Sequence, residues 1–402
     1  MGTSSPKKSI AEVQVGLLYY LAGAEYAAAL VCDSAGRQTL SPIPDWQGVL
    51  SSVDTFRHTL HGPDSHMRKA AAVDEFAFGW GQLLLPASDC LERFDVLVVI
   101  PHYVLYGLPF HAVWLRDRES FLGAMLGVTY CTSGTAFRQC LARNPVRWSR
   151  MAPWTYSLNP SAVDTAEHRP TSCFAFATDV LHDKSATYRE LADLFVSYFR
   201  KPVVNEYCLQ ERANLKRRQE DAVCVVCHGY YDQAQPENSG LLLENGLGWG
   251  GGRSREFTFA DGSRRISRDL PFRHLPLAVD VRPDCYGEFL AIDELKVDLA
   301  IETQLVALLG CSTAVGHAST LFSPGTLAEQ WMRGEAASVV GTLWECSVQT
   351  LRTWIRHFTP NWVQRRQPKA VAWQASVKNS TCAAAGMRPY DWAPFVLLGD
   401  WL

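Results

Sequence analysis

The chain has 402 residues, 47% of them hydrophobic, and its 38 Lys and Arg against 41 Asp and Glu give a formal net charge of −3. That size allows two or three domain-sized units, or one large α/β unit with an appended half, and a core that needs no covalent staples. The even charge leaves no electrostatic footprint for nucleic acid or an anionic membrane, and the short basic clusters Lys216-Arg217-Arg218, Arg264-Arg265 and Arg365-Arg366 read as solvated faces. Neither is an expected partner.

The polar start and the apolar run Val13–Ala22, interrupted by Gly16, Tyr19 and Tyr20, do not make a signal-peptide core. No stretch reaches the ~18 apolar residues of a membrane span. The 12 cysteines are scattered, and Cys131, Cys173, Cys224 and Cys227 sit inside apolar runs as reduced, buried thiols do, so a cytoplasmic compartment is expected.

Short apolar runs alternate with longer amphipathic stretches, the pattern of an α/β protein. Strands are predicted near Val13–Tyr20 and Ala27–Cys32, helices over Trp46–Leu60 and Arg68–Leu85, and a buried strand over Val96–Pro101. His102–Leu115 reads as loop and short strand, and Ala136–Ala142 as a helix. Residues 143–170, rich in Pro, Ser and Arg, read as a connector, so 1–142 and 171–402 are the expected units. The second unit begins with a strand over Cys173–Thr178 and a helix over Ala186–Phe199 with apolar positions Leu191, Leu194, Phe195 and Tyr198. Strands follow over Ala222–Cys227 and Leu305–Leu309, then a helix over Gly325–Arg333, a strand over Ala337–Leu343 and a helix over Val348–Phe358. Between the second and third of these strands, residues from about 245 to 285 lack periodicity and read as an insert.

Two strands end on reactive side chains. Val223-Cys-Val-Val-Cys-His-Gly runs into His228 and Gly229, and Gln304-Leu-Val-Ala-Leu-Leu-Gly-Cys runs into Cys311. In an open α/β sheet the functional crevice lies at the carboxyl ends of the strands. If these two strands are neighbours in a parallel sheet, an imidazole and a thiol meet at one edge. Such a pair suffices for nucleophilic catalysis, with the imidazole assisting the sulfur and protonating the leaving amine. The backbone N–H groups of Gly229 and Cys311 are candidates to receive an oxyanion. Taken singly, each residue is more often structural; the matched placement is what favours chemistry.

Other motifs carry less. Cys224-x-x-Cys227-His228 has the spacing of a c-type haem site, but that would require export, and strand residues three apart face opposite ways. His102, His111, His274, Cys285 and His317 show no zinc spacing, and the Gly-rich run 248–252 lacks the Gly-Lys-Ser/Thr ending of a phosphate loop. No metal and no cofactor is expected.

The chain resembles the CHAT family of caspase-like peptidases, relatives of separases and caspases. The resemblance rests on Val96–Pro101 followed by Leu105-Tyr-Gly-Leu-Pro-Phe110, on Val226-Cys-His-Gly229, and on Ser239-Gly-Leu-Leu-Leu243. It continues through Leu308-Leu-Gly-Cys-Ser-Thr313, Ala337–Trp344 and Trp392–Asp400, in that order. It implies a caspase-like α/β/α sandwich over about 171–402, a His228/Cys311 dyad, and a protease-like but non-catalytic half over 1–142. It also implies a pocket for the residue before the cut built from Asp179, Trp344 and Glu345, whose carboxylates favour Lys or Arg. The activity implied is a regulated cysteine endopeptidase acting on a protein substrate, in a setting such as bacterial defence or cell death. The repeats that often accompany this family are missing from the sequence, so docking is expected to fall to a partner protein or to the 245–285 insert. The runner-up of another class is a protease-like scaffold that binds partners without cutting.

Overall fold

Runs of Val, Ile, Leu and Ala build the centre of the molecule. In the computed structural model, which describes residues 13–62, 64–143, 170–177, 185–205, 217–218, 220–230, 239–244, 255–258, 264–267, 287–292, 300–315, 326–381 and 387–402, these runs join one 11-stranded sheet. The first part of the chain gives β1 (Val15–Ala22), β2 (Ala27–Asp33), β3 (Gln38–Ile43), β4 (Val96–Ile100) and β5 (Gly127–Tyr130). The second gives β6 (Ser172–Ala177), β7 (Lys201–Asn205) and β8 (Ala222–Val226), then three strands of a smaller sheet, β9 (His228–Tyr230), β10 (Gly240–Glu244) and, after a hairpin β11 (Arg255–Thr258) with β12 (Arg264–Ser267), β13 (Gly287–Ala291). The main sheet is completed by β14 (Leu305–Leu309), β15 (Ser338–Thr342) and β16 (Phe395–Gly399). Its order is β3-β2-β1-β4-β5-β16-β15-β14-β8-β6-β7, mostly parallel.

Strands β4, β8, β14, β15 and β16 are buried along their whole length. Such unbroken apolar runs belong to strands covered on both faces. The principal helices are α1 (Trp46–His61), α2 (His66–Phe78), α3 (Gly134–Arg143), α4 (Ser185–Val196), α5 (Leu327–Arg333), α6 (Val348–Thr359) and α7 (Lys369–Thr381). Several begin on side-chain caps: Thr326 accepts from the Glu329 N–H at 2.9 Å and Ser347 from the Thr350 N–H at 3.0 Å. The helix expected over 68–85 ends instead at Phe78. Gly79 (φ −117°, ψ −111°) bends the chain there, and a 3₁₀ turn follows over Trp80–Leu84.

The two parts of the chain meet inside the sheet. β16 pairs antiparallel with β15 and parallel with β5, Leu398 opposite Tyr130, and the Thr129 hydroxyl donates to the carbonyls of Leu397 and Gly399, both at 3.1 Å. Nearby, the fully buried Lys369 ammonium reaches Asp400 at 3.8 Å and the Gln304 carbonyl at 3.3 Å, tying α7 to the ends of two strands. The outermost strands each carry a proline, Pro42 in β3 and Pro202 in β7. A residue without an N–H blunts an open sheet edge. The connector expected over 143–170 lies, except for its two end residues, outside the described residues.

His111 is fully buried: its Nδ1 lies 2.7 Å from the Tyr130 hydroxyl and its Nε2 3.0 Å from the Ala393 carbonyl. A neutral imidazole satisfies both, and burial lowers its pKa to about 3. The unfolded chain therefore takes up this proton at about pH 6.5 and the folded one does not, so stability is full above that pH and falls as the solution is acidified. The slope per such group is about 1.4 kcal/mol per pH unit. Urea unfolding from about pH 7.5 to 5 should show the midpoint falling, with a slope reduced by one proton in His111→Gln; an unchanged slope would contradict this assignment.

Candidate active site

β8 and β14 are parallel neighbours in register, with Ala222 opposite Leu305 and Val226 opposite Leu309. Their amino ends are fixed by Asp221. One of its carboxylate oxygens accepts from the N–H groups of Thr171 (2.7 Å) and Ser172 (2.9 Å), and the other from the Gln304 side chain at 3.1 Å. Strands that start level also finish level. His228 is two residues past Val226 and Cys311 two past Leu309, so both stand at the same carboxyl edge.

Beyond that edge the two backbones touch. A Cβ built on Gly229 would lie 2.0 Å from the Cys311 carbonyl oxygen, and one on Gly310 would lie 2.6 Å from the Cys227 carbonyl oxygen. Only residues without side chains allow this approach. His228 then leaves the main sheet by entering β9, where His228, Gly229 and Tyr230 pair with Leu242, Leu241 and Gly240. The Cys311 turn is fixed from the other side. Thr313 Oγ1 donates to the Leu308 carbonyl at 3.2 Å and accepts from the Thr342 N–H at 3.0 Å, and the Ala314 N–H donates to the Thr342 carbonyl at 2.9 Å. Ser312, next to the thiol, takes a left-handed backbone (φ 56°) that a non-glycine residue adopts only when its surroundings impose it.

Cys311 is partly exposed, yet its sulfur is set deep enough that burial raises the thiol pKa above its ordinary value. Glu345 pushes in the same direction, while the Cys346 N–H, the Cys311 N–H and the Lys69 ammonium favour the thiolate. Cys311 thus rests as a thiol. His228 is half-buried, and the Tyr188 hydroxyl of α4 lies 3.3 Å from its Nε2 and 3.5 Å from its Nδ1, with the two rings 5.2 Å apart.

The remaining expected positions fall as follows. Trp344 is buried, donates from Nε1 to the Tyr390 carbonyl at 2.9 Å and stacks on the Tyr390 ring, so it forms the back of the wall after β15. Glu345 projects from that wall, 56% exposed, with its carboxylate 3.3 Å from Lys69 Nζ and 3.5 Å from the Tyr390 hydroxyl. Asp179 lies outside the described residues, as does most of the 245–285 insert apart from the β11–β12 hairpin. Three groups close to His228 or influencing Cys311 were not singled out in the sequence: Tyr188, the Cys346 N–H and Lys69. Each comes from an element distant in sequence from Cys311, and nothing in their local pattern distinguishes them. Among the described residues, no helix is long and apolar enough to cross a membrane and no cluster of metal-ligating side chains occurs.

A large, mostly parallel sheet flanked by helices is a caspase-like α/β fold. The CHAT domain profile matches residues 80–400, and the chain belongs to the CHAT-domain family. Among solved structures, the Saccharomyces cerevisiae separase–securin complex matches with a TM-score of 0.50 at 12% identity, covering 96% of this chain and 30% of the separase chain. The Arg-specific cysteine proteinase gingipain R matches with a TM-score of 0.40 at 10% identity, covering 89% of this chain and 75% of that one. A complex of the pro- and mature domains of the Porphyromonas gingivalis protein gives 0.40 and 9%, covering 89% and 76%. No curated protein matches in sequence. The chain thus spans 30% of the length of the separase chain, and at these identities the likeness is one of fold.

Proposed function

We propose that the protein is a cysteine endopeptidase that cleaves a partner protein through His228 and Cys311. The observation that supports this reading is the level ending of β8 and β14, with Gly229 pressed against the Cys311 carbonyl. His228 takes the Cys311 proton as sulfur attacks the peptide carbonyl, then gives it to the departing amine. Water, activated by the same imidazole, releases the acyl group from the thioester. The N–H groups of Gly229 and Cys311 are the oxyanion donors in this scheme, and Glu345 with Asp179 and the Trp344 wall the receiver of a basic side chain. Residues 1–142 act as a non-catalytic half that supports the wall. Because the separase of the yeast complex is bound by securin, a regulatory partner protein is part of the proposal.

Two measurements test it. Cleavage of a diverse peptide library should be Cys311-dependent and favour Lys or Arg before the cut; an apolar or acidic preference would end the pocket assignment, and no cleavage by a chain whose Cys311 is accessible would end the peptidase reading. Secondly, the raised thiol predicts that iodoacetamide labels Cys311 more slowly at pH 7 than a free cysteine of pKa about 8.5, with the rate climbing into the alkaline range. Peptide-resolved mass spectrometry separates Cys311 from the other thiols, and rapid labelling already complete at pH 6 would contradict this.

A further inference from the structure

The wall carrying Glu345 is braced by a helix from the other end of the chain. α2 packs on the turn Pro389–Trp392: the His66 and Tyr390 rings are 4.7 Å apart, and Asp74 pairs with Arg388. Lys69, between these two anchors, is only 14% exposed, and its ammonium is directed at Glu345 Oε1. The same oxygen lies 3.5 Å from the Tyr390 hydroxyl. The carboxylate assigned to greet a substrate cation is thus already matched by a tethered one, 276 residues away in sequence.

We propose that Lys69 is a specificity-determining residue, an internal competitor that weakens the capture of a Lys or Arg side chain at Glu345. This rests on the reading that Glu345 faces the residue before the cut. A carboxylate has more than one lone-pair site, so an incoming guanidinium can still bind its exposed side. It does so against the repulsion of the resident ammonium and without a net negative charge to attract it. Recognition of a basic side chain is therefore blunted, and substrates that also make contacts elsewhere along the crevice are favoured over short basic peptides. Lys69 has a second effect through charge: it is one of the groups favouring the Cys311 thiolate and offsets the opposing influence of Glu345.

The test compares the full-length protein with Lys69→Met, Lys69→Arg, Glu345→Gln and the Lys69→Met/Glu345→Gln double variant on two peptides that differ only in Arg or norleucine before the cut. Lys69→Met is expected to raise the Arg-to-norleucine ratio of kcat/KM roughly three- to fivefold through KM, the scale of a partly exposed ion pair, while any effect on the Cys311 thiol is common to both peptides. Lys69→Arg keeps the wild-type ratio between peptides, and in the double variant the gain disappears. The pH midpoint of Cys311 alkylation should move up in Lys69→Met, a readout that needs no turnover. Cleavage after Arg that ignores Lys69, or rises equally for both peptides, overturns the inference alone. Cleavage that never favours Arg over norleucine overturns the pocket reading and the inference with it. An alkylation midpoint that stays put overturns the charge coupling between Lys69 and the thiol.

Discussion

Replacing Cys311 by alanine is expected to lower peptide turnover by at least about 10⁴-fold, since it removes the proposed nucleophile. The fold should survive. The side chain is small and partly exposed, and the turn is held by Thr313 and Thr342 through bonds that do not involve the sulfur. A stability change within about 1 kcal/mol is the expectation. His228→Ala removes the proton carrier and should cost roughly 10²- to 10⁴-fold, the range of general acid–base catalysis. The double variant should be no worse than Cys311→Ala, because residues acting as one unit do not add. Turnover in Cys311→Ala near that of the wild type, with the protein folded by circular dichroism, would remove the thiol from the mechanism.

Gly229→Ala has the second largest expected effect, and its cause is steric. The new methyl would lie 2.0 Å from the Cys311 carbonyl oxygen, 3.1 Å from its carbon and 3.3 Å from its nitrogen. These are backbone atoms that cannot swing aside, so either β9 lifts away with His228 or the Cys311 turn retreats. A displacement of about 1 Å between reacting groups costs on the order of 10²-fold in rate, and overpacking of this kind about 1–3 kcal/mol in stability. Kinetics and thermal unfolding of Gly229→Ala measure both; a variant with wild-type turnover would show that the two loops are not in the contact described. Cys311 should remain alkylatable in this variant, which separates a displaced pair from a lost nucleophile.

The strands that carry the site were the most legible part of the sequence. Val96–Ile100, Ala222–Val226 and Leu305–Leu309 are unbroken apolar runs followed by Pro, Cys-His-Gly or Gly-Cys, and their ends were readable to within a residue. The sheet's edges were not. β3 (Gln-Thr-Leu-Ser-Pro-Ile) and β7 (Lys-Pro-Val-Val-Asn) contain prolines that argue against a strand in isolation and make sense only at an edge. Gly127-Val-Thr-Tyr130 is too short to announce itself, and α7, buried around several of its faces, lacks the polar stripe that reveals a surface helix. For the site, the placement of His228 and Cys311 at one sheet edge could be anticipated because a parallel sheet converts two similar strand endings into one location. Lys69 could not, since its meeting with Glu345 depends on how α2 packs against the Pro389–Trp392 turn.

The position of β16 has a consequence for the order in which the protein is made. Phe395–Gly399 sits between β5, from the first part of the chain, and β15, which adjoins the strand that ends at Cys311. Until the ribosome has passed residue 399, β5 and β15 both face outward with unmet hydrogen-bonding groups, and the region bearing Lys69 has no sheet connecting it to the region bearing Cys311. Such a nascent chain has two bare edges prone to aberrant pairing. The joining of the two parts of the sheet therefore waits on Phe395–Gly399.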